Sequence, residues 1–324
     1  MFDPILVPLD GSQLSECVLP HAATFGRAFG AEVRLLRILE KNQLSTSAQL
    51  FDLLNWQINK TQAGLYLEKI RLELEESEIR VRPVVLEGLV AEGITDYALK
   101  QGVNLIILSS HGRNGLTQWG ISSITQKIIL GAASSLLIVR AQPSSRDIPG
   151  QVPETPLYKR ILVPLDGSQR AENVLPVITR LALFNKAELH LAQIVQTPEM
   201  ARQMPPSSED IDLSNRVVAS NRKEAGRYLN ELKTRSYLEN IPVQTHLVSS
   251  DNAAAALHQL KEQERIDMVA LSAHGYSGNM QWPYGSLVNH FIMYGTVSLL
   301  IVQDLPTRQE QSPVEYLASD RKER

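Results

Sequence analysis

Two short phrases hold the residues able to do chemistry in this 324-residue chain, and each occurs twice. The first is Leu6-Val7-Pro8-Leu9-Asp10-Gly11-Ser12, which returns letter for letter as Leu162-Val163-Pro164-Leu165-Asp166-Gly167-Ser168. The second is Ser109-Ser110-His111-Gly112, answered by Ser272-Ala273-His274-Gly275. Each of these is followed at the same distance by a pair of small residues, Ser122-Ser123 and Gly285-Ser286. A glycine-containing loop that leaves a strand and enters a helix turns backbone N–H groups toward an anion, and the helix dipole adds to the attraction. A hydroxyl at the helix start supplies one more donor. The chemistry written in these loops is anion binding.

Other chemistries find little support in the residue types. His111 and His274 stand in matching places, yet neither has a carboxylate near it in sequence, so closing a turn is favoured over acid–base work. His21, His190, His246, His258 and His290 show no ligand spacing of the His-Glu-x-x-His kind, and no metal site made by protein alone is expected. No Gly-x-x-x-x-Gly-Lys run supplies a phosphate-binding lysine. Cys17, the single cysteine, excludes a disulfide framework and lies on a helical stripe, which favours burial over reactivity. Asp10 and Asp166 have two roles open to them, turn former or helix cap and ligand contact, and one side chain can serve both. Trp119 and Trp282 match between the halves and read as packing residues. No catalytic residue is assigned.

The frame that positions these residues follows from hydrophobic pattern. Residues 5–9 and 161–165 are apolar runs that stop at Asp-Gly-Ser, the mark of a buried strand ending in a turn before a helix. In open α/β sheets ligands bind at the carboxyl ends of strands, so Asp10 and Asp166 sit at the favoured edge. The first half continues with strand 32–39, a polar stretch at 40–60, a helix through Tyr66, Leu67, Ile70 and Leu74, and strand 81–86. Helix 89–99, strand 103–108, a loop, helix 123–130 and strand 135–139 complete it. The second half repeats the order to strand 298–302, with a polar, Pro-rich excursion at 196–214. Strands alternating with helices imply right-handed crossovers and a parallel, doubly wound sheet, so the fold class expected is α/β, two tandem five-stranded domains. The domains are placed at 1–141 and 158–304. Between them residues 142–157, with Pro143, Pro149, Pro153 and Pro156, have linker composition, and 305–324 form a charged tail expected to be disordered.

Composition narrows the partners. A net charge of −3 with no basic block gives no electrostatic reason to expect nucleic acid or an anionic membrane. The N-terminus lacks a signal-like apolar region, and no apolar stretch approaches about 18 residues, so a cytoplasmic protein is expected.

Taken together, Val-Pro-Leu-Asp-Gly-Ser after the first strand, His-Gly after the fourth and the small pair beyond resemble the universal stress protein superfamily, in a tandem-domain member. The resemblance implies Rossmann-like domains of strand order 3-2-1-4-5, packed about a pseudo-twofold axis with the fifth strands 135–139 and 298–302 adjacent and antiparallel. In one branch it also implies ATP binding. That branch is similar to a pattern of glycine, two residues, glycine, nine residues, then glycine and serine or threonine. The second half offers Ser272, Gly275, Gly285 and Ser286 to this pattern, and the first Ser109, Gly112, Ser122 and Ser123. The resemblance places Asp166 and Ile194 at the adenosine end, with Gly275, Gly285 and Ser286 on the phosphates. The first-half set is Asp10, Ile38, Gly112, Ser122 and Ser123. Mg2+ would accompany the nucleotide. Arg113 adds charge beside the first loop, where the second has Tyr276. Because glycine serves where φ is positive or where backbone approaches a ligand closely, a Cβ at Ser122 is expected to cost about 1 kcal/mol or to crowd a phosphate. The second half is therefore the preferred nucleotide site.

The function expected is an adenine-nucleotide sensor or switch. Turnover is limited at most to weak ATP hydrolysis, since the motifs hold neither a dedicated base nor an arginine finger. The rival is a scaffold that docks protein partners without nucleotide, motivated by serine at 109, 122 and 272. A further rival uses His274 or Asp166 as the base of a nucleotide-processing enzyme.

Overall fold

The computed structural model describes residues 2–40, 49–112, 121–140, 157–197, 207–235, 238–276 and 283–303. The expected tail, the expected linker up to residue 156, Arg113, Trp119 and Trp282 lie outside the described residues.

Each half opens on a buried strand, β1 (Ile5–Pro8), whose counterpart in the second half is Arg160–Pro164. Beyond it the chain turns through Gly11 and Gly167 at φ +76° and +84°, a region that L side chains rarely adopt. The helix expected next is in fact two. Ser12 caps the short α1 (Gln13–Glu16), and α2 (Leu19–Phe29) begins afresh with a proline in its first turn and stops at Gly30 in the left-handed conformation. Proline lacks an N–H to continue α1, which explains the break. Then follow β2 (Val33–Leu39), α3 (Gln49–Glu75), β3 (Val81–Glu87), α4 (Val90–Lys100), β4 (Leu105–Ser109), α5 (Ser123–Gly131) and β5 (Ser135–Val139). The second half repeats this as β6 (Arg160–Pro164), α6 (Gln169–Glu172), α7 (Leu175–Asn185), β7 (Glu188–Val195) and α8 (Ser208–Lys233). It ends with β8 (Val243–Ser249), α9 (Ala253–Gln263), β9 (Met268–Ser272), α10 (Ser286–Tyr294) and β10 (Ser298–Val302).

All ten strands form one sheet of order β3-β2-β1-β4-β5-β10-β9-β6-β7-β8. Within each half the pairing is parallel and the order is 3-2-1-4-5, as the family resemblance implied. Between the halves β5 and β10 run antiparallel, with Leu299, Leu300 and Ile301 opposite Ile138, Leu137 and Leu136. Every one of these six side chains is buried, so the seam is as apolar as the centre of either half. Two hydrophobic layers cover the sheet. One gathers Ile5, Val7, Leu35, Ile107, Leu137 and Leu300 with α2 and α7; the other gathers Leu6, Leu36, Ile106, Leu136 and Leu299 with α4, α5, α9 and α10. Alternate residues of each strand feed opposite layers, as the pleat requires.

Polar contacts also cross between the halves. The Tyr284 hydroxyl donates to the Ile129 carbonyl at 3.0 Å, and Arg140 Nη2 donates to the carbonyls of Phe291 and Ile292 at 2.6 and 2.9 Å. Burial lowers the Arg140 pKa to about 10.

Two helices are longer than hydrophobic periodicity predicted. α3 starts at Gln49, inside the polar stretch at 40–60, and α8 starts at Ser208, inside the polar, Pro-rich excursion at 196–214. In both, the anchoring apolar residues lie in the C-terminal part, Ala63, Leu67, Ile70 and Leu74 in α3 and Ala225, Leu229 and Leu232 in α8. In α8 the N-terminal turns, with Ile211 and Leu213 exposed, carry no buried stripe to be read. For α8 a signal was present: Ser207 and Asp210 form a capping box, with Ser207 Oγ accepting from Asp210 N–H at 3.1 Å and Asp210 Oδ2 accepting from Ser207 N–H at 3.1 Å.

Candidate functional site

At the carboxyl end of β1, Asp10 Oδ1 accepts hydrogen bonds from the Ser12 N–H at 2.9 Å and the Ser12 hydroxyl at 2.6 Å. Asp166 Oδ1 accepts from Ser168 in the same way, at 2.9 and 2.6 Å. These Asx turns hold each serine in place to cap the next helix. The second carboxylate oxygen faces the loop that follows the fourth strand. A Cβ on Gly112 would lie 2.3 Å from Asp10 Oδ2, and one on Gly275 would lie 2.3 Å from Asp166 Oδ2. In the second half Tyr276 N–H donates to Asp166 Oδ2 at 2.6 Å. Each aspartate thus joins the two phrases of its half, and glycine after histidine is required by close approach.

The serines that replace glycine behave differently in the two halves. The Ser109 hydroxyl donates to the Leu14 carbonyl at 2.7 Å and sits 3.5 Å from Cys17 Sγ, tying β4 to α1 and its C-cap. The Ser272 hydroxyl is buried with no partner among the described residues. His111 and His274 are both buried, and His111 Nδ1 meets the Ser110 hydroxyl at 3.1 Å.

The expectation that a Cβ at Ser122 is costly is not met. Ser122 has φ −74°, Gly285 has φ −65°, and a Cβ at 285 would meet nothing nearer than the Ala273 carbonyl at 3.7 Å. Neither position needs glycine for its conformation. Ser122 instead serves α5, because its Oγ accepts from Thr125 N–H at 3.1 Å, whereas α10 has no side-chain cap. Ser122→Ala should therefore lower stability by about 1 kcal/mol and Ser122→Gly by a few tenths, with Gly285→Ser neutral or stabilising. Urea melts of the three variants check this, and a stabilised Ser122→Gly would contradict it.

Two concave sites lie at the carboxyl edge of the sheet, one in each half. In the first half a cavity of about 680 Å³ takes in Pro8, Leu9 and Asp10 from the end of β1, Leu36 to Leu39 from β2, and Ser109, His111 and Gly112 from the loop. Ser122, Ile124, Thr125 and Ile128 of the α5 start close the same cavity. Val90, Ile94 and Leu108 make its apolar wall, and Arg37, Trp56, Asn59, Gln62 and Tyr66 its polar one. Of the first-half residues named from the sequence, Asp10, Ile38, Gly112 and Ser122 line one space; Ser123 is exposed on the first turn of α5 just outside it. In the second half a groove of about 690 Å³ takes in Asp166 and Ile194 beside Gln193, Asn221, Glu224, Arg227, Tyr228, Glu231 and Tyr276. Gly275, Gly285 and Ser286 do not line it.

The sequence reading missed the α3 wall. The signal was available for Arg37, which precedes Ile38 at the ligand-binding end of β2, but nothing in the pattern of residues 40–60 foretold that α3 would face the same space. Tyr66 there donates to Glu16 Oε1 at 2.9 Å, and burial beside this carboxylate raises the phenol's pKa, so it stays neutral.

Among the described residues no group of three His, Cys, Asp or Glu side chains is placed to hold a metal ion, and no helix is long and apolar enough to cross a membrane.

Comparison with known proteins agrees with the architecture. The Universal stress protein family model matches residues 1–140 and 157–303. Universal stress protein MJ0577 of Methanocaldococcus jannaschii is 28% identical over 160 residues, 44% of this chain and 98% of that protein. Universal stress protein YxiE of Bacillus subtilis is 26% identical over 149 residues, 43% of this chain and 100% of that protein. Solved structures of double length superpose on nearly everything. A universal stress protein from Archaeoglobus fulgidus covers 93% of this chain and 98% of its own at TM-score 0.62 and 16% identity. The functionally unknown protein PA1789 from Pseudomonas aeruginosa covers 98% of each chain at TM-score 0.64 and 17% identity.

Proposed function

Because the chain belongs to the universal stress protein family, with both halves matching its model, we propose that it binds one adenine nucleotide as a sensor or switch, in the cavity of its first half. The observation that carries this reading is convergence: the end of β1, the end of β2, the His111-Gly112 loop and the start of α5 all face one space of about 680 Å³. That volume is within the usual range of small-molecule sites, and an apolar wall with a few polar groups is their usual make-up. Leu36, Ile38, Val90 and Ile94 would hold the base, while the free N–H groups at the start of α5 and the Ser122 and Thr125 hydroxyls face the side where phosphates would lie. Magnesium would arrive with the nucleotide, held chiefly by its phosphates. The conformational part of the preference for the second half falls away, since Ser122 is unstrained and caps its helix.

Little turnover is proposed. Asp166 has both carboxylate oxygens engaged, by Ser168 and by Tyr276 N–H, and so is a poor base. A nucleotide held without a positioned nucleophile changes population and stability more than it changes covalent state.

A ligand that binds only the native state must raise its stability, by about 2.7 kcal/mol at a hundredfold excess over Kd. Thermal melts with magnesium ATP should therefore shift upward by several degrees. An unchanged midpoint at millimolar ATP would overturn the nucleotide reading and leave partner docking as the role of these loops.

A further inference from the structure

We infer that Arg37 makes the first-half cavity prefer phosphorylated adenosine over adenosine itself, an inference that rests on the nucleotide reading above. Successive residues of a strand face opposite sides of the sheet. Ile38 reaches α4, its Cδ1 only 2.6 Å from where a Cβ on Gly93 would lie, and Arg37 reaches the α3 side, its guanidinium 5.6 Å from the centre of the Tyr66 ring. The turn that follows Asp10 rests on this guanidinium: a Cβ on Gly11 would lie 2.5 Å from Arg37 Nη1. Nε and Nη1 are shielded from solvent. Arg37 is thus a partly desolvated cation held against the residue next to Asp10, in the wall of the cavity.

Charge within the cavity makes this position decisive. Among the described residues lining it, Asp10 and Glu40 are anionic and Arg37 is the cation that offsets one of them, so without Arg37 these two carboxylates would face phosphate with no such offset. Tyr66 does not alter this balance, since it is held neutral by burial and by Glu16. An uncharged ligand such as adenosine is indifferent to the change, whereas a triphosphate brings several negative charges into a medium where Coulomb energies exceed those in water. The second half carries Gln193 at the matching place, its Nε2 3.7 Å from where a Cβ on Gly167 would lie. There the groove holds Asp166, Glu224 and Glu231, and its Arg227 is paired with Glu224 at 2.7 Å and Glu231 at 3.6 Å. The exchange of Arg37 for Gln193 therefore removes the cation that stands beside the first-half aspartate from the matching place in the second half.

The test is calorimetric titration of the full chain with ATP and, separately, with adenosine, for the native protein and for Arg37→Gln, which installs the second half's own residue. ATP affinity should fall about tenfold or more, adenosine affinity should change by less than about threefold, and Arg37→Lys should recover most of the loss because it keeps the charge. Equal losses for both ligands, or no loss for either, would overturn the inference while leaving nucleotide binding intact. A native protein that binds neither ligand would overturn the nucleotide reading and the inference with it. Should Arg37→Gln melt early, Arg37→Met, which keeps an aliphatic stem over Tyr66, is read against the same two outcomes.

Discussion

Gly112→Val is expected to weaken ATP binding about a hundredfold while its twin, Gly275→Val, leaves it untouched. The two substitutions are matched by geometry, since a Cβ at either position lies 2.3 Å from the Oδ2 of its own aspartate. In each half the Asx turn or the loop after the fourth strand has to move, and overpacking of this kind costs about 1–3 kcal/mol. Urea melts should give similar losses for both. Binding should separate them, because Gly112 lines the first-half cavity and Gly275 lies outside the second-half groove. Displacing the His111-Gly112 loop removes one side of the site, so a loss of affinity of about a hundredfold, some 2.7 kcal/mol, is expected for Gly112→Val alone. Equal loss of binding in both variants would place nucleotide in both halves; loss only in Gly275→Val would reverse the assignment.

The seam offers the larger effect on stability. Leu300 pairs with Leu137 across the antiparallel junction, and both are fully buried. Leu300→Asp puts a carboxylate into the hydrophobic layer that Leu137 and Leu300 share. The loss of apolar burial and the cost of an unpaired buried charge together exceed about 4 kcal/mol, a large share of the 5–15 kcal/mol that a folded protein has. The variant should melt at much lower urea, and the freed apolar edge of β5 should make it aggregate as it does so. Leu183→Asp, on an exposed side chain of α7, is the control that should leave the melt nearly unchanged. If Leu300→Asp unfolded at the native midpoint, the continuous ten-stranded sheet would be wrong.

Legibility in the sequence was uneven, for physical reasons. The repeated heptapeptide announced both halves, because a buried parallel strand must be apolar along its length and its turn demanded glycine at positive φ in each copy. Alternation with helices implied a parallel sheet, and the strand order came from the resemblance alone. What failed was inference about space. Ser122 looked costly because glycine in the family pattern suggested a backbone need, yet the helix start at φ −74° accepts any residue and gains a cap from serine. The polar wall was invisible because Arg37, Asn59, Gln62 and Tyr66 come together only through the packing of α3 on the sheet. Aspartates 10 and 166 were readable as turn formers; their contact with a glycine more than a hundred residues away was not.

The most direct test of the central claim is a calorimetric titration of the full chain with magnesium ATP, repeated on Gly285→Trp. The account predicts one nucleotide per chain, with the same affinity in the variant, because Gly285 lies outside both the first-half cavity and the second-half groove. Loss of that nucleotide in Gly285→Trp, or two per native chain, would contradict a single first-half site; no heat at millimolar ATP would contradict nucleotide binding altogether.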